Sequence, residues 1–172
     1  LSIRRQRQMC IRDSFTAVDL AIDRGSKVVV IGLNGAGKTT LLRMLAGVDK
    51  PDTGSIEPGH GLKIGYFAQE HETLDVTKTV LQNMQASAPQ LNDTDCRKVL
   101  GSFLFSGDDV SKPAGVLSGG EKTRLALAAL VVSSANVLLL DEPTNNLDPA
   151  SREEILRALA SFTGAVVLVS HD

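Results

Sequence analysis

The octet Gly32-Leu33-Asn34-Gly35-Ala36-Gly37-Lys38-Thr39 constrains the fold more than any other part of the chain. It follows the apolar run Val28, Val29, Val30 and Ile31 and precedes Leu41, Leu42 and Leu45 at helical spacing. A β-branched run ending in glycines predicts a strand buried on both faces, a tight loop, and then a helix that Gly47 closes. Such an order belongs to α/β chains, whose parallel sheets gather ligands at the carboxyl ends of the strands. The octet fits G-x-x-x-x-G-K-[ST], in which glycines let successive N–H groups turn inward around an anion. A helix N-terminus adds positive potential, Lys38 reaches the outer phosphates and the Thr39 hydroxyl suits magnesium. Asn34, Gly35, Ala36, Gly37, Lys38, Thr39 and Thr40 are therefore candidate phosphate-binding residues. Two glycines at this spacing arise by chance at about 1 in 200 positions, so the added Lys, Thr and strand–loop–helix context carry the weight.

With 172 residues, 42% of them hydrophobic, the chain suits one globular domain with a real core. A formal net charge of -2 gives no general reason to expect a polyanion partner, so no direct DNA binding is expected. The apolar runs are far too short to cross a bilayer and no signal-peptide pattern opens the chain, which predicts a cytosolic protein. Cys10 and Cys96 lie far apart without metal-ligand spacing and read as bystanders. Residues 1–14 carry Arg4, Arg5, Arg7 and Arg12 without a hydrophobic period, and are expected to be non-native or disordered. After the apolar run 165–169, where a further element would be expected, the chain stops at Asp172.

Downstream, residues 62–68 alternate as a strand, and 76–86 and 95–105 carry helix-spaced apolar residues that form a short insert. Ser118 and Glu121 fit a capping box before an apolar helix continuing through 125–132. Asp148 and Pro149 open another helix, which runs to about Phe162 and is ended by Gly164 before a buried strand at 165–169.

Three further groups suggest chemistry. Val137-Leu138-Leu139-Leu140 ends in Asp141 and Glu142, where Asp141 can hold a metal and Glu142 can polarise an attacking water. Taken alone, two such carboxylates are also accounted for by a solvated strand end or helix cap in about one case in three. Leu117-Ser118-Gly119-Gly120-Glu121 places two glycines in a first helical turn, where they weaken the helix unless something must approach the backbone. A phosphate fits there, whereas a bare capping box explains Ser118 and Glu121 but not the glycine pair. Gln69 and His171, each just beyond a strand, offer an amide to metal or water and an imidazole to a γ-phosphate, and each is weak evidence alone.

In order and spacing, the octet, Gln69, residues 117–121, 137–142, 145–148 and His171 resemble the ATP-binding-cassette family over residues 15–172. The resemblance implies an α/β P-loop NTPase with a mainly parallel central sheet, a small antiparallel β part and a helical insert at 70–116. It implies ATP and Mg2+ as ligands, with Thr39, Gln69 and Asp141 at the metal, and Glu142, Gln69 and His171 in catalysis. It also implies that Ser118, Gly119 and Gly120 act in trans on the ATP of a second cassette, so that one cassette alone hydrolyses poorly. The cassette is expected to break off after the histidine.

Within the family, residues 117–124 and Asp141-Glu142-Pro143-Thr144-Asn145-Asn146-Leu147-Asp148 are more similar to the ABC-F group, and to its second cassette. That likeness implies a ribosome partner. The alternative is the cassette of a membrane transporter, with the insert receiving a permease. Family members usually stack adenine on an aromatic residue upstream of the octet, and residues 1–14 contain none.

Overall fold

The computed structural model of the chain describes residues 2–4, 18–68 and 74–170. Two sheets are present among the described residues. β1 (Ser2–Arg4) lies between β2 (Leu20–Ala21) and β4 (Ser55–Glu57) in an antiparallel sheet. Part of the segment expected to be non-native or disordered thus supplies a central strand, because backbone pairing on both sides needs no hydrophobic period.

The larger sheet contains β3 (Lys27–Ile31), β5 (Ile64–Phe67), β6 (Val137–Asp141) and β7 (Ala165–Ser170) in the spatial order β3-β7-β6-β5. All three pairings are parallel. β6 is buried at every position because it has a strand on each side and a layer on each face. β3 differs from the expectation of burial on both faces. It bonds only to β7 among the described residues, and while Val28 and Val30 pack inward, Val29 and Ile31 stay 56% and 65% exposed. A continuous apolar run does not distinguish a central strand from an edge strand with one covered face.

Side chains alternate along β6 and divide the interior into two cores. Val137 and Leu139 face α1 (Lys38–Leu45), where Leu41, Leu42 and Leu45 pack with Val167 and Val169. Leu138 and Leu140 face the other layer, built from α2 (Val80–Ser87), α3 (Asp93–Ser102), α4 (Gly119–Val132) and α5 (Pro149–Ala160). The helices of the insert share this second core through Val80, Met84, Cys96 and Leu100. Arg124 of α4 also lies over the Phe105 ring, 5.3 Å from its centroid.

Local chemistry sets where these helices begin. The helix expected from residue 76 starts at Val80, because Asp75 accepts from the Thr77 N–H (3.0 Å) and hydroxyl (2.6 Å) and turns the chain instead. Thr79 and Gln82 then form a reciprocal capping box. Asn92 caps α3 by accepting from Asp95 N–H at 2.9 Å, so the helix starts at Asp93, two residues ahead of the expected Asp95. That helix ends at Ser102 rather than Phe105, and α5 ends at Ala160 rather than Phe162.

Candidate functional site

Parallel strands present all their carboxyl ends on one edge. Ile31 pairs with Ser170, Asp141 with Val169 and Phe67 with Leu140, so the chain leaves β3, β6, β7 and β5 at a common rim. The glycine loop, Asp141 and Glu142 gather there. Gln69 and His171, expected at the same rim, lie outside the described residues.

In the loop, Gly35 and Gly37 take φ of +81° and +86°, a left-handed backbone that glycine alone adopts without strain. Gly37 is also the N-cap of α1, which has no side-chain cap and no acidic residue in its first turn. Its leading N–H groups and dipole are therefore available to an anion. Asn34, Gly35, Ala36 and Thr39 are exposed, and Thr40 is half-buried. Lys38 is 8% exposed and turns back across the loop, its ammonium donating to the carbonyls of Gly32 (2.5 Å) and Leu33 (3.0 Å). A cation is thus held at the centre of the cradle by backbone oxygens alone.

Asp141 ends β6 at 2% exposure. By the alternation along the strand it shares the face of Val137 and Leu139, which is the face that α1 covers. The carboxylate acts on its neighbour: burial first, and then Asp141, push the Tyr66 phenol pKa up. Among the described residues no three His, Cys, Asp or Glu side chains cluster as metal ligands. A cation here would draw on Asp141, the Thr39 hydroxyl and the oxygens of a ligand, a set that suits magnesium.

Glu142 is half-buried, and its backbone is left-handed, with φ of +50°. Its N–H extends the ladder to the Val169 carbonyl (3.1 Å), and its own carbonyl accepts from Asn145 N–H (3.2 Å). The Asn145 side-chain amide donates to Glu142 Oε2. Pro143 and Thr144 are buried beneath this turn, and Leu147 N–H closes it on Thr144 at 3.1 Å. Asp148 then caps α5 by accepting from Ser151 N–H at 3.0 Å, and the Ser151 hydrogen bonds hold its carboxyl below the ordinary range. Sequence reasoning placed Asn145 in the 145–148 motif that carries the family resemblance but gave its side chain no role of its own; a further signal was an amide three residues after a carboxylate, the reach of one tight turn.

Ser118, the N-cap of α4, accepts from Glu121 N–H at 3.3 Å, while Glu121 Oε2 accepts from Ser118 N–H at 2.8 Å. The first of these bonds uses an oxygen lone pair and leaves the hydroxyl hydrogen to donate. Hydrogen bonds from the Ser118 N–H and hydroxyl to the Glu121 carboxylate hold its pKa below the ordinary range. Thr123 Oγ1 braces the turn by donating to Gly119 O at 3.1 Å. A Cβ on Gly119 would meet nothing within 4 Å, whereas one on Gly120 would lie 3.0 Å from the Asn146 carbonyl oxygen. Gly119 therefore faces open space, and Gly120 abuts the turn that carries Asn145. Because α4 and α1 belong to different cores on opposite faces of the sheet, the Ser118 turn and the glycine loop are carried by separate layers.

A protein-family profile described as "ABC transporter" matches residues 15–145. The chain is 47% identical over 157 residues to a putative ATP-binding protein, YdiF, of Bacillus subtilis, a match covering 91% of this chain and 24% of that protein. It is 40% identical over 160 residues to "ABC transporter F family member 5" of Arabidopsis thaliana, covering 92% of this chain and 23% of that one. The chain therefore spans about a quarter of the length of these relatives. A solved chain in the complex of archaeal ribosomal stalk protein aP1 and archaeal ribosome recycling factor aABCE1 superposes with a TM-score of 0.76 at 30% identity. That likeness covers all of this chain and 34% of the solved one.

Proposed function

The chain belongs to the ATP-binding-cassette family, and from that premise we propose that it binds ATP with Mg2+ and hydrolyses it as one half of a paired site. One observation carries this reading. The glycine loop with Lys38 at its centre, Asp141 and Glu142 meet at one rim of a parallel sheet, while the Ser118-Gly119-Gly120 turn sits on the layer behind it.

The residues fit the implied ligands. The exposed residues Asn34, Gly35, Ala36 and Thr39 around a helix start, two left-handed glycines and a buried ammonium form a polyphosphate cradle. The Thr39 hydroxyl and the Asp141 carboxylate are hard oxygen donors suited to Mg2+, which when bound neutralises charge across the outer phosphates. Lys38 exchanges its two carbonyl partners for phosphate oxygens. Glu142 orients the attacking water and takes up its proton. In the same reading Gln69 touches metal or water and His171 bonds the γ-phosphate. Ser118, Gly119 and Gly120 offer an open helix N-terminus to the nucleotide of a second cassette, a placement supported by their separation from this chain's own loop.

Relatives that include a member of the ABC transporter F family, and likeness to a chain in a ribosome recycling factor complex, support a role in translation for the intact protein. In that role, closure around ATP acts on the ribosome from the cytoplasm. Among the described residues no helix is long and apolar enough to cross a membrane.

The test pairs Lys38→Ala with Glu142→Gln. Lys38→Ala abolishes ATP binding, whereas Glu142→Gln binds ATP at the wild-type level and loses turnover. Equal loss of binding in both would contradict this division of roles. With Glu142→Gln trapping ATP, the intact protein cosediments with ribosomes; failure to do so removes the translation reading and leaves the ATPase reading standing.

A further inference from the structure

Glu142 adopts a backbone that a side-chain-bearing residue rarely takes, and the structure holds it there from three directions. Its N–H is tied to Val169, its carbonyl to Asn145 N–H, and its carboxylate to the Asn145 amide. A left-handed non-glycine residue persists only where its surroundings over-determine it. Here the over-determination is concentrated on one neighbour. Asn145 grips both ends of Glu142, main chain and side chain, although its own side chain is exposed and contributes nothing to the core.

We infer that Asn145 is a positioning residue, whose side-chain amide aims the Glu142 carboxylate for the hydrolysis proposed above. The inference rests on that reading of Glu142. An amide N–H anchored on Oε2 fixes the rotation of the carboxylate about its last bond, and so fixes the direction in which Oε1 is presented. The turn is not free to swing with the side chain, because Pro143 and Thr144 are buried under it and the Asn146 carbonyl sits against Gly120. The carboxylate is therefore aimed by an amide mounted on the same rigid turn that backs the Ser118 helix start.

The experiment uses the intact protein, with Asn145→Ala and Asn145→Asp measured beside Glu142→Gln. Both Asn145 variants change an exposed side chain and keep the main-chain N–H that bonds the Glu142 carbonyl, so both fold, which a melting curve beside the wild type verifies. Asn145→Ala removes the donor, and kcat falls on the order of 10-fold while KM for ATP stays within about twofold, since hydrogen bonds to charged groups are worth about that much. Asn145→Asp discriminates between the two roles. Aspartate forms this kind of turn as readily as asparagine, so a merely structural residue tolerates it. As a positioning residue Asn145 does not, because the donor is replaced by a second carboxylate facing Glu142, and kcat falls further than in Asn145→Ala. Wild-type kcat in Asn145→Asp, or a higher KM at unchanged kcat in Asn145→Ala, overturns the inference while Glu142→Gln remains inactive. Normal turnover in Glu142→Gln overturns the reading of the site itself, and the inference with it.

Discussion

The two adjacent glycines at the start of α4 predict opposite responses to one substitution. Replacing glycine by alanine inside a helix stabilises by about 0.5–1 kcal/mol when the site has room, largely by restricting the unfolded chain. Gly119 has room, since an added Cβ meets nothing within 4 Å. Gly120 does not: its Cβ would stand 3.0 Å from the Asn146 carbonyl oxygen and 3.7 Å from Leu147 Cδ2. The first contact is with backbone, which has no rotamer to escape into, so the turn itself must give by a few tenths of an ångström. Overpacking of this kind costs about 1–3 kcal/mol and outweighs the gain. Gly119→Ala should therefore melt above the wild type and Gly120→Ala below it, about 2 kcal/mol apart, or roughly 4–8 °C for a domain of this length. Calorimetry without nucleotide reads the difference. If both variants rise together, Gly120 does not bear on the Asn146 turn and the mechanical link argued above is absent. On the proposed reading, in which this turn receives the phosphate of a second cassette, Gly119→Ala should at the same time lose ATP turnover in the paired protein, because its methyl would occupy that approach. Stability gained with activity lost marks a glycine kept for function.

Two other outcomes follow from the geometry. Asp75 is held at a pKa of about 2 by the Thr77 hydroxyl, Lys78 and the Thr77 N–H. A carboxyl depressed on folding contributes stability that is complete above its unfolded pKa near 4 and is lost as pH falls toward 2, so Asp75→Asn should flatten the acid limb of a stability profile over that window. Leu138, fully buried in the central strand, should cost about 2–5 kcal/mol as Leu138→Ala, measured as a lowered urea midpoint at unchanged slope.

Much of the site was legible in the sequence because its parts are local. A glycine loop between strand and helix, Ser118 with Glu121 across one helical turn, and Asp148 before Pro149 are each specified within eight residues or fewer, and each forms with the bonds its residue types dictate. Helix starts were misplaced where a local competitor was overlooked, as with Asp75 and Thr77 ahead of α2. The hold of Asn145 on Glu142 is equally local in sequence, yet it was hidden: it requires a left-handed Glu142, which no residue type at that position advertises.

The sequence by itself determined that a glycine loop and a helix start stand at the carboxyl end of a strand and that carboxylates end another, because short-range hydrogen bonding and side-chain period are written in adjacent residues. Only the tertiary structure decided that β3 is an edge strand in the described residues, with Val29 and Ile31 exposed on one face. It also decided that Asp141 faces the layer of α1 and that the Ser118 turn stands behind the sheet against Asn146. Strand order and the face each helix covers depend on pairing between residues distant in sequence, 28 positions apart for Val137 with Ala165, 73 for Ile64 with Val137 and 139 for Ile31 with Ser170, and no local pattern encodes those partners.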